Sequence, residues 1–173
     1  PMTETVRIER MSYGPAAVGR LSDGKTVFVE GAVPGDVAEV QLCEEKPRFA
    51  RGRVTSVLEP SPDRVAPPCA AGCGGCPWSH LSYGAQRAAK RDGVVSALVH
   101  TAHLPAERAE ALVAPCVGSK REWGYRNKLE LACGTDSAGR LVLGMRPEGG
   151  SELVALDACP LANRLIEKAP KAL

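Results

Sequence analysis

The sequence predicts a β-rich α+β fold, with a small OB-like β-barrel ahead of an α+β domain organised around cysteines. Three observations carry that reading. Residues 5–58 hold short runs that alternate apolar with polar residues or are rich in valine, and turn signals separate them. "EPSPDRVAPP" (Glu59 to Pro68) then places four prolines in ten residues. "CAAGCGGCPW" follows at once and packs Cys69, Cys73 and Cys76 into eight residues.

The barrel strands are read from "TVRIER", "KTVFVEG", "DVAEVQLCE" and "ARGRVTSVLE". β-branched side chains at period two suit a pleated surface with one face buried. Tyr13-Gly14-Pro15, Asp23-Gly24 and Val33-Pro34-Gly35-Asp36 supply the breaks between them. Four or five such strands, about ten residues apart, predict a small β-barrel of the OB type over residues 1–60. The proline-rich stretch predicts a stiff linker over 61–68. Residues 69–173 are then a separate α+β domain.

Within that domain Ser82 is placed to cap a helix from about Tyr83 to His103. Val95, Leu98, Val99 and Ala102 fall on one helical face, while Gln86, Arg87, Lys90 and Arg91 crowd the first half. Gly93 weakens the pattern slightly. "NKLELACG", "RLVLGMR" and "ELVALDA" predict three antiparallel strands, with "TDSAG" as a hairpin turn. "LANRLIEKAPKAL" reads as the start of a further helix.

Charge is nearly balanced, at +2 for the 173 residues, so no whole-chain field selects a polyanionic partner. Residues 1–60 carry 8 Lys/Arg against 9 Asp/Glu, and residues 61–173 carry 14 against 11. Basic character is therefore local. "KREWGYRNK", with Lys120, Arg121, Arg126 and Lys128, is the best candidate for a nucleic-acid contact. At the start of a strand, Arg126 and Lys128 would share one face and leave Asn127 opposite. No apolar run approaches the roughly 18–20 residues of a membrane span, and no apolar h-region marks a signal peptide. A cytoplasmic monomer with no membrane partner is expected. Seven cysteines in such a reducing setting favour metal or redox chemistry over disulfides.

Cys43, Cys116 and Cys133 stand alone, and each reads as a small buried apolar residue. The triplet differs. Gly72, Gly74 and Gly75 let the backbone fold back so that amides can face sulfur. Zinc usually gathers two C-x2-C knuckles, and only one is present. Iron–sulfur clusters accept three close cysteines and a distant fourth. Cys159 in "LDACPL" is the candidate for the fourth because of its Cys-Pro context, and it would close a loop of 82 residues from Cys76. The C-x3-C-x2-C spacing also occurs in radical-SAM enzymes. Against that reading, Gly75 stands where those enzymes usually place an aromatic residue. The 97 residues after Cys76 are also too few for their parallel barrel.

Taken in order, these motifs resemble the bacterial RNA (uracil-5-)-methyltransferases that carry a TRAM domain and a [4Fe-4S] cluster. "DGKTVFVEGAVPGDVAEVQL" and "ARGRVTSVLEPSPDRVAPPC" resemble the TRAM domain and its exit. "CGGCPWSHLSYGAQRAAKRDGV", "GYRNKLEL" and "LDACPL" resemble the segment joining cluster to helix, the central β-domain and the last ligand. The resemblance implies that Cys69, Cys73, Cys76 and Cys159 ligate the cluster, although the family's first gap is usually longer than three residues. It also implies an S-adenosylmethionine-dependent catalytic domain for which these 173 residues hold no motif. The chain alone is therefore expected to be catalytically inactive. Its expected role is to recognise rRNA or tRNA in single strands or loops, with Tyr13, Phe28 and Phe49 as the barrel's few aromatic platforms and Phe28 leaning toward the core. The rival reading is a stand-alone RNA-binding or RNA-chaperone module.

Overall fold

The computed structural model describes residues 2–69, 72–135, 138–145, 147 and 153–167. The elements run β1 (Thr3–Met11), β2 (Ala17–Arg20), β3 (Thr26–Glu30), β4 (Val37–Glu45), β5 (Phe49–Glu59), α1 (Tyr83–His100), α2 (Ala106–Leu112), β6 (Ala132–Thr135), β7 (Leu141–Met145), β8 (Val154–Ala155) and α3 (Arg164–Glu167). They fall into two compact units. One joins residues 1–66 to 77–118, and the other joins 67–76 to 119–173.

In the first unit the five strands close into a barrel in the order β1-β2-β3-β5-β4. All pairings are antiparallel except β3 with β5, which is parallel. The alternation expected from the sequence sets the barrel's interior. Val6 and Ile8 of β1, Val27 and Val29 of β3, Ala38 and Val40 of β4 and Ala50 of β5 all point into one buried cluster. The register of β1 against β2 shifts between Ile8 and Arg10, which brings Met11 inward as well. β2 has no strand signature of its own, because "AVGR" is short and half of it is Ala and Gly. It is held by pairing on both edges. A Cβ on Gly19 would meet Val6 Cγ1 at 2.5 Å, so the close approach of β1 requires glycine there.

The proline-rich composition predicts a linker over 61–68, yet residues 61–64 are fastened to the barrel. Asp36 is fully buried. Its carboxylate accepts from the Val33 N–H at 2.8 Å, from the Ser61 N–H at 2.9 Å and from Arg64 Nη2 at 2.6 Å. Arg64 Nη2 also donates to the Gly31 carbonyl at 2.8 Å. The return strand of chain is knitted on in turn. Val65 N–H donates to the His80 carbonyl and Ser82 N–H to the Asp63 carbonyl, while Leu81 enters the barrel's core beside Trp78, Ala85 and Ala89.

This packing changes the expected domain division. The sequence places α1 in the domain that starts at residue 69, whereas α1 and α2 belong to the barrel's unit. The physical reason lies in which face of α1 is apolar. Ala85 and Ala89 in its first half pack on the barrel. Of the apolar face expected further on, Val95 alone is buried, and Ala102 lies beyond the helix end and is exposed. Ser82 caps α1 as expected, its hydroxyl accepting from the Ala85 N–H at 3.3 Å.

The second unit holds the antiparallel sheet β6-β7-β8. Its strands are shorter than the sequence suggests, and residues 127–131 form no strand. Asp136 and Ser137 of the expected turn, and residues 168–173 of the expected last helix, lie outside the described residues.

Candidate nucleic-acid interface and cysteine centre

The cysteine centre is built from two stretches of the second unit. Gly72 (φ +68) and Gly74 (φ +75) take the left-handed conformation that folds the cysteine loop. Cys159 opens the other stretch, where the Ala162 N–H donates to its carbonyl at 2.9 Å. Burial pushes the Cys76 thiol above its ordinary value, and the Cys159, Cys73 and Cys69 sulfurs push it further, against the pull of Arg126. The four sequence-predicted cysteines thus share one electrostatic neighbourhood. Among the described residues, no three His, Cys, Asp or Glu side chains are already arranged to hold a metal ion. Three thiols around the half-buried Cys76 thiol make a soft donor set, which suits iron–sulfur or zinc chemistry.

The three remaining cysteines correct the expectation of inert buried residues. Cys43 and Cys133 are exposed and Cys116 is half-buried. Strand alternation places Cys43 and Cys133 on the solvent side of β4 and β6.

The basic stretch divides. Arg126 makes an isolated parallel bridge with Ala162, its N–H donating to the Leu161 carbonyl and its carbonyl accepting from the Asn163 N–H, both at 2.8 Å. That bridge ties Arg126 to the segment that follows Cys159. Lys128 is exposed and pairs with Glu130. Because no strand runs through 127–131, alternation does not place Arg126 and Lys128 on a common face. Lys120 and Arg121 are exposed. Arg87 and Arg91 in the first half of α1 are structural. Arg87 donates to the Cys116 carbonyl at 2.6 and 2.9 Å, and Arg91 donates to the Val113 and Glu110 carbonyls and pairs with Glu110 at 2.7 Å.

The barrel carries a second candidate surface, which sequence reasoning saw only in part. Val27 and Val29 point inward, so Phe28 and Glu30 point outward, and the parallel register sets Phe28 beside Arg51 and Glu30 beside Arg53. Phe28 is therefore a half-buried surface ring rather than a core residue. Phe28 and Phe49 meet edge to face at 5.9 Å, with the Arg51 guanidinium 5.7 and 5.6 Å from their ring centres. Arg51 and Glu30 carried no signal in one dimension. Their role follows from a pairing between strands that lie about 23 residues apart.

Comparison with known proteins now bears on both surfaces. Residues 2–55 match the TRAM domain family. The chain is 36% identical over 167 residues to an uncharacterised RNA methyltransferase of Gloeobacter violaceus, covering 95% of this chain and 36% of that protein. It is 39% identical over 147 residues to the 23S rRNA (uracil(1939)-C(5))-methyltransferase RlmD of Edwardsiella ictaluri, covering 83% and 32%. The chain carries a TRAM domain and is similar to RNA methyltransferases along most of its length. It spans about a third of the length of those curated relatives. A crystal structure of the Pyrococcus abyssi tRNA (uracil-54, C5)-methyltransferase in complex with S-adenosyl-L-homocysteine shares the fold. Its TM-score is 0.62 at 24% identity, over 96% of this chain and 35% of that one. In these terms the TRAM match ends within β5, and the related segment continues through both units. No helix among the described residues is long and apolar enough to cross a membrane.

Proposed function

We propose that this chain is the RNA-recognition portion of an S-adenosylmethionine-dependent RNA (uracil-C5)-methyltransferase that acts on 23S rRNA or tRNA in the cytoplasm. The observation that carries the reading is a TRAM barrel joined to a segment related, over 95% of the chain, to RNA methyltransferases. Chemistry at the C5 position of uracil requires the base to leave its stack. A module that holds the flanking single strand or loop therefore assists the reaction without touching the reacting atoms. Lys120, Arg121, Arg126 and Lys128 are the proposed RNA contacts in the second unit. The exposed members would neutralise phosphates.

Cys69, Cys73, Cys76 and Cys159 would hold a [4Fe-4S] cluster. Four thiolates saturate such a cluster, so its contribution is a cross-link between the cysteine loop and the segment at residue 159. What supports this assignment is the closeness of the Cys69, Cys73 and Cys159 sulfurs to Cys76 and the pair of left-handed glycines in the loop.

Methyl transfer itself is assigned to residues outside this chain. Incubation of the 173-residue chain with radiolabelled S-adenosylmethionine and rRNA or tRNA is expected to leave the RNA unlabelled, and incorporation above a no-protein control would overturn the division of labour. Binding of the same RNA is expected to be salt-sensitive. Changing Arg126 and Lys128 together to Ala should flatten the salt slope by up to about two. Protein purified without oxygen should contain about four irons and four sulfides per chain. Cys159→Ser should lose them, while Cys43→Ser, Cys116→Ser and Cys133→Ser should keep them.

A further inference from the structure

We propose that the outer face of β3 and β5, together with the β1–β2 loop, is a binding cleft for a single unpaired RNA base, with guanine preferred. The inference rests on the RNA-recognition reading above and assigns it a site.

The cleft has a volume of about 360 Å³, and Tyr13, Phe28, Glu30 and Arg51 line it with Ser12 and Ala16. That is the low end of the roughly 300–1,000 Å³ typical of small-molecule sites, and it suits one base. The walls are of the kind that binds a base. Phe28 offers a π-face, and Arg51, already positioned over Phe28 and Phe49, offers a planar cation.

Tyr13 supplies the strongest indication. It is 96% exposed, so its ring contributes almost nothing to the apolar burial that stabilises the barrel. The loop that presents it is nevertheless held firmly. Ser12 donates to the Ala16 carbonyl from its N–H at 3.0 Å and from its hydroxyl at 2.6 Å. Gly14 N–H donates back to the Ser12 hydroxyl at 3.1 Å, and the Trp78 indole N–H donates to the Gly14 carbonyl at 3.2 Å. A loop whose backbone is already ordered presents the ring to solvent at a fixed place, so the backbone entropy of presenting it is spent before RNA arrives.

Charge decides which part of a nucleotide enters. Arg51 is paired with Glu44 at 3.3 Å and Arg53 with Glu30 at 3.7 Å, so this face is close to neutral and does not favour a phosphate. A carboxylate on the cleft wall accepts hydrogen bonds only. Glu30 therefore favours a base edge with adjacent donors, which unpaired guanine has in its N1–H and N2 amino group.

The test uses fluorescence anisotropy on the 173-residue chain with a uridylate dodecamer carrying one central guanosine. Tyr13→Ala is expected to weaken binding about tenfold without changing the salt slope, because stacking and not counterion release is lost. Arg51→Lys keeps the charge and loses the planar stack, and is expected to weaken binding about threefold to tenfold. Glu30→Gln should reduce the preference for the guanosine oligomer over one with a central adenosine. Tyr13 makes no packing contribution, so its variant should fold, and an unchanged melting temperature checks that. If the wild type binds RNA and both Tyr13→Ala and Arg51→Lys bind equally well, the cleft is refuted while the RNA reading stands. If the wild type binds no RNA, both fall. Loss of binding together with loss of guanosine preference upholds the cleft.

Discussion

The two units of this chain are stabilised in different ways. The barrel's unit closes its sheet on itself and buries a continuous cluster that runs from Val6 to Leu81. The cysteine unit has a three-stranded sheet whose last strand is two residues long. Its buried apolar residues among those described are Leu156, Leu161 and Ala162. A closed barrel satisfies its backbone and excludes water without help. A short open sheet with so few buried apolar residues among those described gains little from burial alone, and the proposed cluster would add a cross-link there. The difference teaches that the four proposed ligand cysteines all lie in the unit with the thinner core.

The largest expected effect tests this dependence directly. Removing iron with a chelator under reducing conditions, or Cys159→Ser, should abolish most amide-exchange protection in residues 119–167 and leave residues 3–59 protected. Equal loss in both units would break the comparison. Next in size is the barrel's own buried charge. Asp36→Ala leaves Arg64 partly buried without its partner and frees the Ser61 and Val33 N–H groups, at a cost of about 3–5 kcal/mol. The loss should appear as a lower urea midpoint for the barrel, with iron content unchanged. Iron loss in Asp36→Ala would show that the units do not respond separately.

Acid should then separate the two units by degree. Burial alone pushes the Asp36 carboxyl up, but Arg64 and the Ser61 and Val33 N–H groups outweigh it and hold the carboxyl below its ordinary value of 3.8. Its stabilisation is present above 3.8 and is lost as pH falls through the lower folded value. His80 acts at milder pH. Burial holds its imidazole below the ordinary 6.5, against the Ala32 carbonyl that accepts from it. The unfolded chain therefore takes up a proton first, and barrel stability begins to decline as pH drops below 6.5. His80→Gln should flatten that first decline in a series of urea titrations. The smallest effect is at the helix cap. Ser82→Ala removes the α1 cap and the hydrogen bond to Asp63 at 2.7 Å, and should cost about 1 kcal/mol in the barrel's unit alone.

Periodicity made the barrel legible because a strand with one buried face must alternate. β1, β3, β4 and β5 all announce themselves this way, and β2 does not, since "AVGR" is held by its neighbours. The cysteine spacing was equally local, and so was the Ser82 cap. Composition misled where tertiary pairing took over. Proline content around residues 61–64 could not show that Ser61 and Arg64 close on Asp36, which lies 25 and 28 residues earlier.

By itself, then, the sequence determined the alternating strands, the loop glycines and the short-range cysteine spacing, because each depends on backbone geometry within a few residues. Only the tertiary structure decided that α1 packs on the barrel, that Arg87 and Arg91 serve as staples, and that Phe28, Arg51 and Tyr13 meet around one cleft. Those outcomes depend on which faces exclude water together, and a parallel pairing of β3 with β5 is a choice made between distant segments. No periodicity within either strand records it.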